Sequence, residues 1–173
     1  MRDVPDPGFA GDDGSAEPGL VQALRDYDVD PHALHDATLA VLQGTRLLVP
    51  VVAALGEVVV EETADGRSLA HDKTSDMATV LLQGQDGRSA LLAFTSTESL
   101  RRWNSEARPV PVPVQRAARA ALQDGAAAIV VDVAGPVMFV VDGEAVRQLA
   151  EGRLLVRLGA AVSDRFGWVT PDP

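Results

Sequence analysis

Two short turns between β-rich segments constrain the fold of this chain most. The first is Asp86-Gly87, and the second contains Gly135 and Pro136. Glycine adopts a positive φ at low cost, so an Asp-Gly pair between two apolar runs predicts a tight β-hairpin. The two expected hairpins are formed by Met77–Gln83 with Arg88–Phe94 and by Ala128–Val133 with Val137–Val141.

Helix signals surround these hairpins. Asp30 followed by Pro31 is typical of a capped helix start, and Gly44 is the expected left-handed C-cap of that helix. Thr95 and Glu98 have the spacing of a capping box, with Thr95 as the N-cap. The helix after Asp30 has a predicted apolar stripe of Leu34, Ala37, Thr38, Val41 and Leu42. The other predicted helices begin near Pro18, Pro113 and Asp142.

Further strands complete the predicted sheet. Leu47–Val52 is apolar on both faces, which predicts a central strand, and Val58–Glu62 resembles a second strand. The proline-rich stretch before Pro113 is expected to be extended. Leu154–Leu158 and Ala160–Val162 form either a last strand pair or a tail that docks on a partner. Because helices and strands come in clusters without βαβ alternation, we predict an α+β fold. Its mixed or antiparallel sheet is built from hairpins, with helices packed on it.

Length and composition limit the organisation of the chain. The 173 residues suit one domain plus tails. Residues 1–19 are rich in Asp, Gly and Pro, and we expect a disordered acidic tail there. Residues 20–152 are the predicted folded domain, because they carry the apolar stripes from which a core is built. Residues 153–173 are the predicted C-terminal strand or tail.

Charge and hydropathy exclude several classes of partner. The formal net charge of −10 predicts no nucleic-acid binding, since an acidic surface repels phosphate backbones. The chain has no cysteine, which excludes thiol nucleophiles and disulfides. Its longest apolar run, Leu47–Val60, contains Pro50 and Glu57 and is shorter than the ~20 residues that span a bilayer. The amino terminus lacks the apolar core of a signal peptide, so we expect a cytoplasmic protein with no membrane partner.

Several phrases together resemble a known family. They are Leu47–Val51, Asp72–Ala78, Ala93–Ser96, Leu100–Trp103 and Arg108–Val112. In order and spacing they are similar to the SseB family, specifically its N-terminal domain in high-GC Gram-positive bacteria, from about residue 34 to residue 149. The resemblance implies an α+β domain. It implies no catalytic mechanism, because the family has no accepted molecular function.

The segment from His71 to Met77 is the most polar candidate site. In seven positions it carries an imidazole, two carboxylates, an ammonium group and two hydroxyls. One interpretation is a ligand site in which Lys73 and the hydroxyls hold an anion. Another is a nucleophile, Ser75, assisted by His71 and Asp76. The third is a loop whose side chains bond nearby backbone amides, as polar turns often do.

Two further clusters allow binding chemistry. Arg101 and Arg102 lie beside Trp103 in an arginine-rich stretch that continues to Arg119, and such a cluster can bind a phosphate or an acidic partner. The alternative is a solvated helix face with Trp103 in the core. His32 and His35 share a helix face, where a metal could bridge two imidazoles, but the sequence supplies no further ligands.

These observations predict a non-enzymatic module that binds an unknown protein or small molecule, as a monomer or a homodimer. No catalytic residue, metal ligand or cofactor is predicted. A small hydrolase or transferase with a Ser/His site is the alternative, and a homodimeric assembly protein is a further one. The candidate binding residues are Asp72, Lys73, Ser75, Asp76, Thr95, Ser96, Arg101, Arg102 and Trp103.

Overall fold

The computed structural model describes residues 9, 11–53, 77–84, 87–159 and 165–172. Within them the chain has an α+β fold, as predicted. The helices are α1 (Pro18–Val29), α2 (Pro31–Leu42), α3 (Thr97–Trp103), α4 (Val114–Gln123) and α5 (Gly143–Ala150). The strands are β1 (Arg46–Ala53), β2 (Met77–Thr79), β3 (Leu81–Gln83), β4 (Ser89–Ala93), β5 (Arg108–Pro113), β6 (Ala128–Val131), β7 (Phe139–Val141), β8 (Leu154–Leu158) and β9 (Arg165–Val169).

The main strands form two sheets that a backbone bridge joins. One sheet has the order β2-β1-β5, and the other has the order β3-β4-β6-β7. Among the described pairs, β4 and β6 run parallel and the others are antiparallel. The backbone of Leu48 donates to the Phe94 carbonyl at 2.8 Å and accepts from the Phe94 amide at 2.9 Å. Strands β8 and β9 form a separate two-stranded ribbon.

The central strands are buried on both faces. Successive side chains of a strand point to opposite sides, so Leu91 and Ala93 of β4 enter one apolar cluster while Leu92 and Phe94 enter another. Helices α1, α2, α4 and α5 contribute to the first cluster, and α3 covers the second through Leu100. The two joined sheets therefore have α1, α2, α4 and α5 on one side and α3 on the other.

Both predicted hairpins are confirmed. In the first, β3 pairs with β4, and Gly87 has the positive φ of 78° that its turn requires. The strand before that turn is divided near Val80, since β2 pairs with β1 and β3 pairs with β4. In the second, β6 pairs with β7. The predicted central position of the Leu47–Val52 strand is also confirmed, because β1 lies between β2 and β5.

Helix α2 begins where the sequence predicts, but its buried face differs from the prediction. Asp30 caps α2 as expected, accepting from the Ala33 amide at 3.1 Å. The buried residues of α2 are Thr38, Leu39 and Leu42, while Val41 is 38% exposed. The buried face of α2 is therefore rotated relative to the predicted apolar stripe, because α2 packs against both α1 and β8.

The end of α2 and the C-terminal strands also correct the prediction. Gly44 is not left-handed, since the chain leaves α2 through a tight turn in which its amide bonds to the Val41 carbonyl. The partner of β8 is Arg165–Val169 rather than Ala160–Val162. Residues 160–162 lie outside the described residues, as does the predicted strand Val58–Glu62. None of the described helices is long and apolar enough to cross a membrane.

Replacing Ala118 by leucine is expected to lower the free energy of unfolding by about 1–3 kcal/mol, because the site has no room for added methylenes. Ala118 is fully buried on α4, which packs closely against α5. The matched control is Ala120→Leu on the same helix, where the side chain is partly exposed and the change should stay within about 0.5 kcal/mol. Urea unfolding measures both, and equal effects would contradict close packing at Ala118.

Candidate functional site

A cleft of about 590 Å³ lies at the carboxyl ends of β4 and β6. Because these strands run parallel, the residues that follow them emerge at the same edge of the sheet. Thr95 comes after β4, and Asp132 comes after β6. The remaining walls are formed by residues 13–16, by one side of α1, by α3 and by Pro136 and Val137 of the β6–β7 connection. The residues that follow these two strands therefore face one shared cleft.

The buried carboxylate of Asp132 organises the floor of the cleft. Asp132 is 3% exposed and accepts three hydrogen bonds. The donors are the Thr95 amide at 2.9 Å, the Thr95 hydroxyl at 2.5 Å and the Ser99 hydroxyl at 2.6 Å. These bonds tie the end of β6 to the end of β4 and to the first turn of α3.

The backbone at Asp132 is left-handed. Its φ is +55°, a conformation that aspartate and asparagine adopt more readily than most residues. A Cβ atom at Gly135 would lie 2.8 Å from the Asp132 Cβ, so only glycine fits there without displacement. The β6–β7 connection is thus shaped to turn the carboxylate inward, toward Thr95.

The structure corrects the predicted start of α3. Ser96, not Thr95, is the N-cap, and the capping box is completed by Ser99 rather than Glu98. The Ser96 hydroxyl accepts from the Ser99 amide at 3.1 Å. Since the Thr95 hydroxyl bonds to Asp132, the helix begins one residue later than the sequence suggested. Glu98 instead forms an ion pair with Arg102 at 2.5 Å.

Residues 11–17, which we call the N-terminal segment, contact the folded domain. Arg46 donates to both carboxylate oxygens of Asp12, at 2.6 and 2.9 Å, and to the Ser15 carbonyl at 2.6 Å. The Thr97 amide donates to the Gly14 carbonyl at 2.8 Å. Residues 11–17 thus have defined partners in the described part of the chain, while the disordered tail expected for residues 1–19 stays a prediction.

The cleft combines an apolar wall with charged edges. Val21, Leu24 and Val137 supply apolar surface, Arg25 and Arg102 supply positive charge, and Asp13 and Glu98 supply negative charge. Arg102 is paired with Glu98. Arg25 is exposed and has no ion-pair partner among the residues that the structure describes. The Arg25 guanidinium group therefore lies at the edge of the cleft, and groups of this kind bind carboxylates.

The structure brings together some of the predicted site residues. Thr95, Ser96 and Arg102 line the cleft, whereas Arg101 is exposed elsewhere on α3. Trp103 packs in the second apolar cluster, with its ring 5.6 Å from the Phe94 ring. The rest of the arginine-rich stretch is divided between β5 and α4. The candidates Asp72, Lys73, Ser75 and Asp76 lie outside the described residues.

Of the two histidines on α2, His35 contacts the edge strand β7. His35 Nε2 lies 3.0 Å from the Val140 carbonyl, and its ring stacks on Phe139 with 4.9 Å between centroids. His35 therefore links α2 to the edge strand β7. Within the described ranges, no group of three or more His, Cys, Asp or Glu side chains is placed to hold a metal ion.

Sequence reasoning missed Asp132, Ser99 and Arg46. The available signal was a polar residue directly after each of two apolar runs, Thr95 after one and Asp132 after the other. That signal becomes useful only if the two runs are known to be parallel neighbours. They are separated by α3, β5 and α4, and nothing in the local pattern reports their pairing.

Replacing Asp132 by alanine is expected to lower the free energy of unfolding by about 2–4 kcal/mol, because a buried amide and two hydroxyls lose their acceptor. Asp132→Asn should cost less, since the side-chain oxygen still accepts from the Thr95 amide and asparagine tolerates the positive φ. Chemical unfolding of both variants measures the difference. Equal losses would show that the negative charge, rather than the acceptor geometry, is what the fold needs.

The Asp12 contact should depend on pH. The hydrogen bond from Arg46 lowers the pKa of Asp12 below its usual 3.8. Because the pKa of Asp12 is lowered in the folded chain, the contact stabilises the fold fully at pH values above the ordinary pKa of aspartate. This stabilisation is lost as the pH falls through the lowered pKa of Asp12. Carboxyl-carbon NMR titration should show the pKa of Asp12 rising toward its usual value in Arg46→Gln.

The control for that titration is Asp13. Its pKa is lowered chiefly by the backbone hydrogen bond from Ser15, and Arg46 is not among the causes. The Arg46→Gln change should therefore leave the titration of Asp13 in place. If both carboxylates shift together, or Asp12 does not shift, the assigned contact is incorrect.

Comparison with known proteins identifies the family. The chain matches the family described as SseB protein N-terminal domain over residues 20–148. A search of the curated proteins found no match, and neither did a search of the solved structures. The matched region includes most of α1, Thr95–Ser99 and Asp132, and it begins after the N-terminal segment. Since it covers most of the 173 residues, this chain belongs to the SseB family and carries its N-terminal domain.

Proposed function

We propose that this domain is a non-enzymatic binding module whose ligand site is the cleft at the ends of β4 and β6. The main supporting observation is the combination of a cavity of about 590 Å³ with a preformed floor. Asp132, Thr95 and Ser99 hold that floor in place through bonds of 2.5–2.9 Å. Ligand sites are commonly preformed cavities of about 300–1,000 Å³ with an apolar lining and a few placed polar groups.

The lining favours a ligand that has an apolar body and an acidic group. Val21, Leu24 and Val137 offer apolar contact, and Arg25 offers a guanidinium group without an ion-pair partner in the described part of the chain. A guanidinium group binds a carboxylate through paired N–H donors, which fixes orientation as well as adding affinity. We therefore propose a protein segment that presents an aspartate or glutamate next to apolar residues.

The chemistry of the cleft supports binding over catalysis. The hydroxyls of Thr95 and Ser99 both donate to the buried Asp132 carboxylate, and these bonds join the two strand ends to α3. The described residues that line the cleft include no histidine. The alternative Ser75 site with His71 lies outside the described residues and stays a prediction. So do the high-GC Gram-positive type of the family, the cytoplasmic location and the homodimer.

Random peptides displayed on phage and selected on the full chain test this proposal. We expect selected peptides to carry an acidic residue beside apolar ones. Arg25→Glu should weaken the binding of synthetic copies of these peptides about tenfold, which corresponds to the loss of roughly one charge-assisted contact. The control is Arg116→Glu, which makes the same charge change on α4 at a residue outside the cleft lining. Fluorescence anisotropy with labelled peptides measures the affinities.

A second pair of variants separates the two candidate binding regions. Val137→Trp should abolish peptide binding, because the larger ring fills the cleft. Replacing Asp72, Lys73 and Asp76 together by alanine tests the polar segment near residue 75. The cleft proposal is overturned if peptide affinity is unchanged by Arg25→Glu and by Val137→Trp but falls in the triple variant. That result would place the binding site in the polar segment.

A further inference from the structure

The N-terminal segment separates two cavities. Asp13, Ser15 and Ala16 line the cleft of about 590 Å³, and the same residues line a second, more open cavity of about 690 Å³ next to Arg46. Residues 11–17 belong to no helix or strand. The segment is therefore a partition, and its position decides whether the two cavities are separate or continuous.

Among the described residues, polar contacts with Arg46 and Thr97 hold the N-terminal segment on the domain. Asp12 and the Ser15 carbonyl bind Arg46, and the Gly14 carbonyl binds the Thr97 amide. In the described part of the chain, no residue of the segment belongs to either apolar cluster. Gly14 lies so close to α3 that a Cβ atom there would be 2.2 Å from the Thr97 hydroxyl oxygen, and its φ is +81°. The close approach is thus specific to glycine.

Each of these contacts must offset part of the entropy cost of ordering the segment. Ordering each backbone residue costs entropy comparable to the net gain from one hydrogen bond. Among the described residues, the segment is bonded to the domain through Arg46 and Thr97, and Glu17 at its end is the N-cap of α1. Arg46 also donates to the Thr95 carbonyl, which lies outside the segment. Arg46 consequently keeps its hydrogen bond to the Thr95 carbonyl when the segment is released, so its guanidinium group stays near the cleft.

We propose that the N-terminal segment is a releasable wall that regulates access to the cleft. This inference rests on the proposed function of the cleft as a binding site. With the segment in place, the opening is limited by Asp13–Ala16. With the segment released, the two cavities join, and Arg46 and the Thr97 amide become available to an acidic ligand. A ligand that uses Arg46 in this way competes with Asp12 of the same chain.

Amide hydrogen exchange in the full chain tests whether the segment is released. The Thr97 amide bonds to Gly14, so its exchange reports on the segment, whereas the Leu100 amide bonds to Ser96 and reports on α3. Asp12→Asn should raise Thr97 exchange about tenfold, the change in equilibrium that follows the loss of one charge-assisted bond. Leu100 exchange should not change. Gly14→Ala should act in the same direction.

The charge-matched control is Asp13→Asn. Among the described residues, Asp13 bonds within the segment to the Ser15 amide at 2.8 Å and does not contact Arg46. Asp13→Asn should therefore leave Thr97 exchange close to wild type. If Asp12→Asn leaves Thr97 exchange unchanged, or raises Thr97 and Leu100 exchange together, the proposed release is wrong.

A thiol placed in the cleft tests whether release opens it. The chain has no cysteine, so Val137→Cys introduces a single reactive site in the cleft wall. Its labelling rate with a thiol reagent should rise several-fold when Asp12→Asn is added, while Leu122→Cys, exposed on α4, should not respond. A labelling rate at position 137 that stays constant while Thr97 exchange rises would overturn the regulatory role. Neither readout needs a ligand, so a failed peptide selection would count against the proposed function alone.

Discussion

The hydrogen-bonded carboxylate of Asp132 is the interaction on which the arrangement of the cleft depends. A buried charge is costly unless donors surround it, and here an amide and two hydroxyls do so. The donors come from residues that follow β4, and the acceptor follows β6. The network therefore fixes the relative position of two strand ends that are far apart in sequence, and it places the first turn of α3 over them.

The two apolar clusters provide the rigid support for that network. Strands β1 and β4 contribute alternate residues to each cluster, and their bridge at Leu48 and Phe94 joins the two sheets. A strand buried on both faces cannot shift by one residue without exchanging its two sets of side chains. The register of β4, and with it the position of Thr95, is consequently well determined. The N-terminal segment differs from these strands, because a polar contact positions it. Asp12 pairs with Arg46, whose side chain is 12% exposed.

Local signals were sufficient to predict the elements whose causes are local. The hairpins around Asp86-Gly87 and Gly135-Pro136, the Asp30 and Asp142 caps, and the central position of β1 follow from turn chemistry, capping and apolar runs. The family was also recognisable from short phrases in the right order. Each of these signals operates over a few residues, or depends only on their order.

Which residues meet was decided by long-range packing instead. The N-cap of α3 lies at Ser96 rather than Thr95 because Asp132, 37 positions from Thr95, accepts from the Thr95 hydroxyl. Arg46 binds Asp12, 34 positions away, a contact that the acidic composition of residues 1–19 does not predict. The parallel pairing of β4 with β6 leaves no local pattern, since it results from the packing of the intervening elements. Long-range partners of polar side chains are fixed by the folded geometry, and for that reason the amino-acid sequence did not predict the cleft.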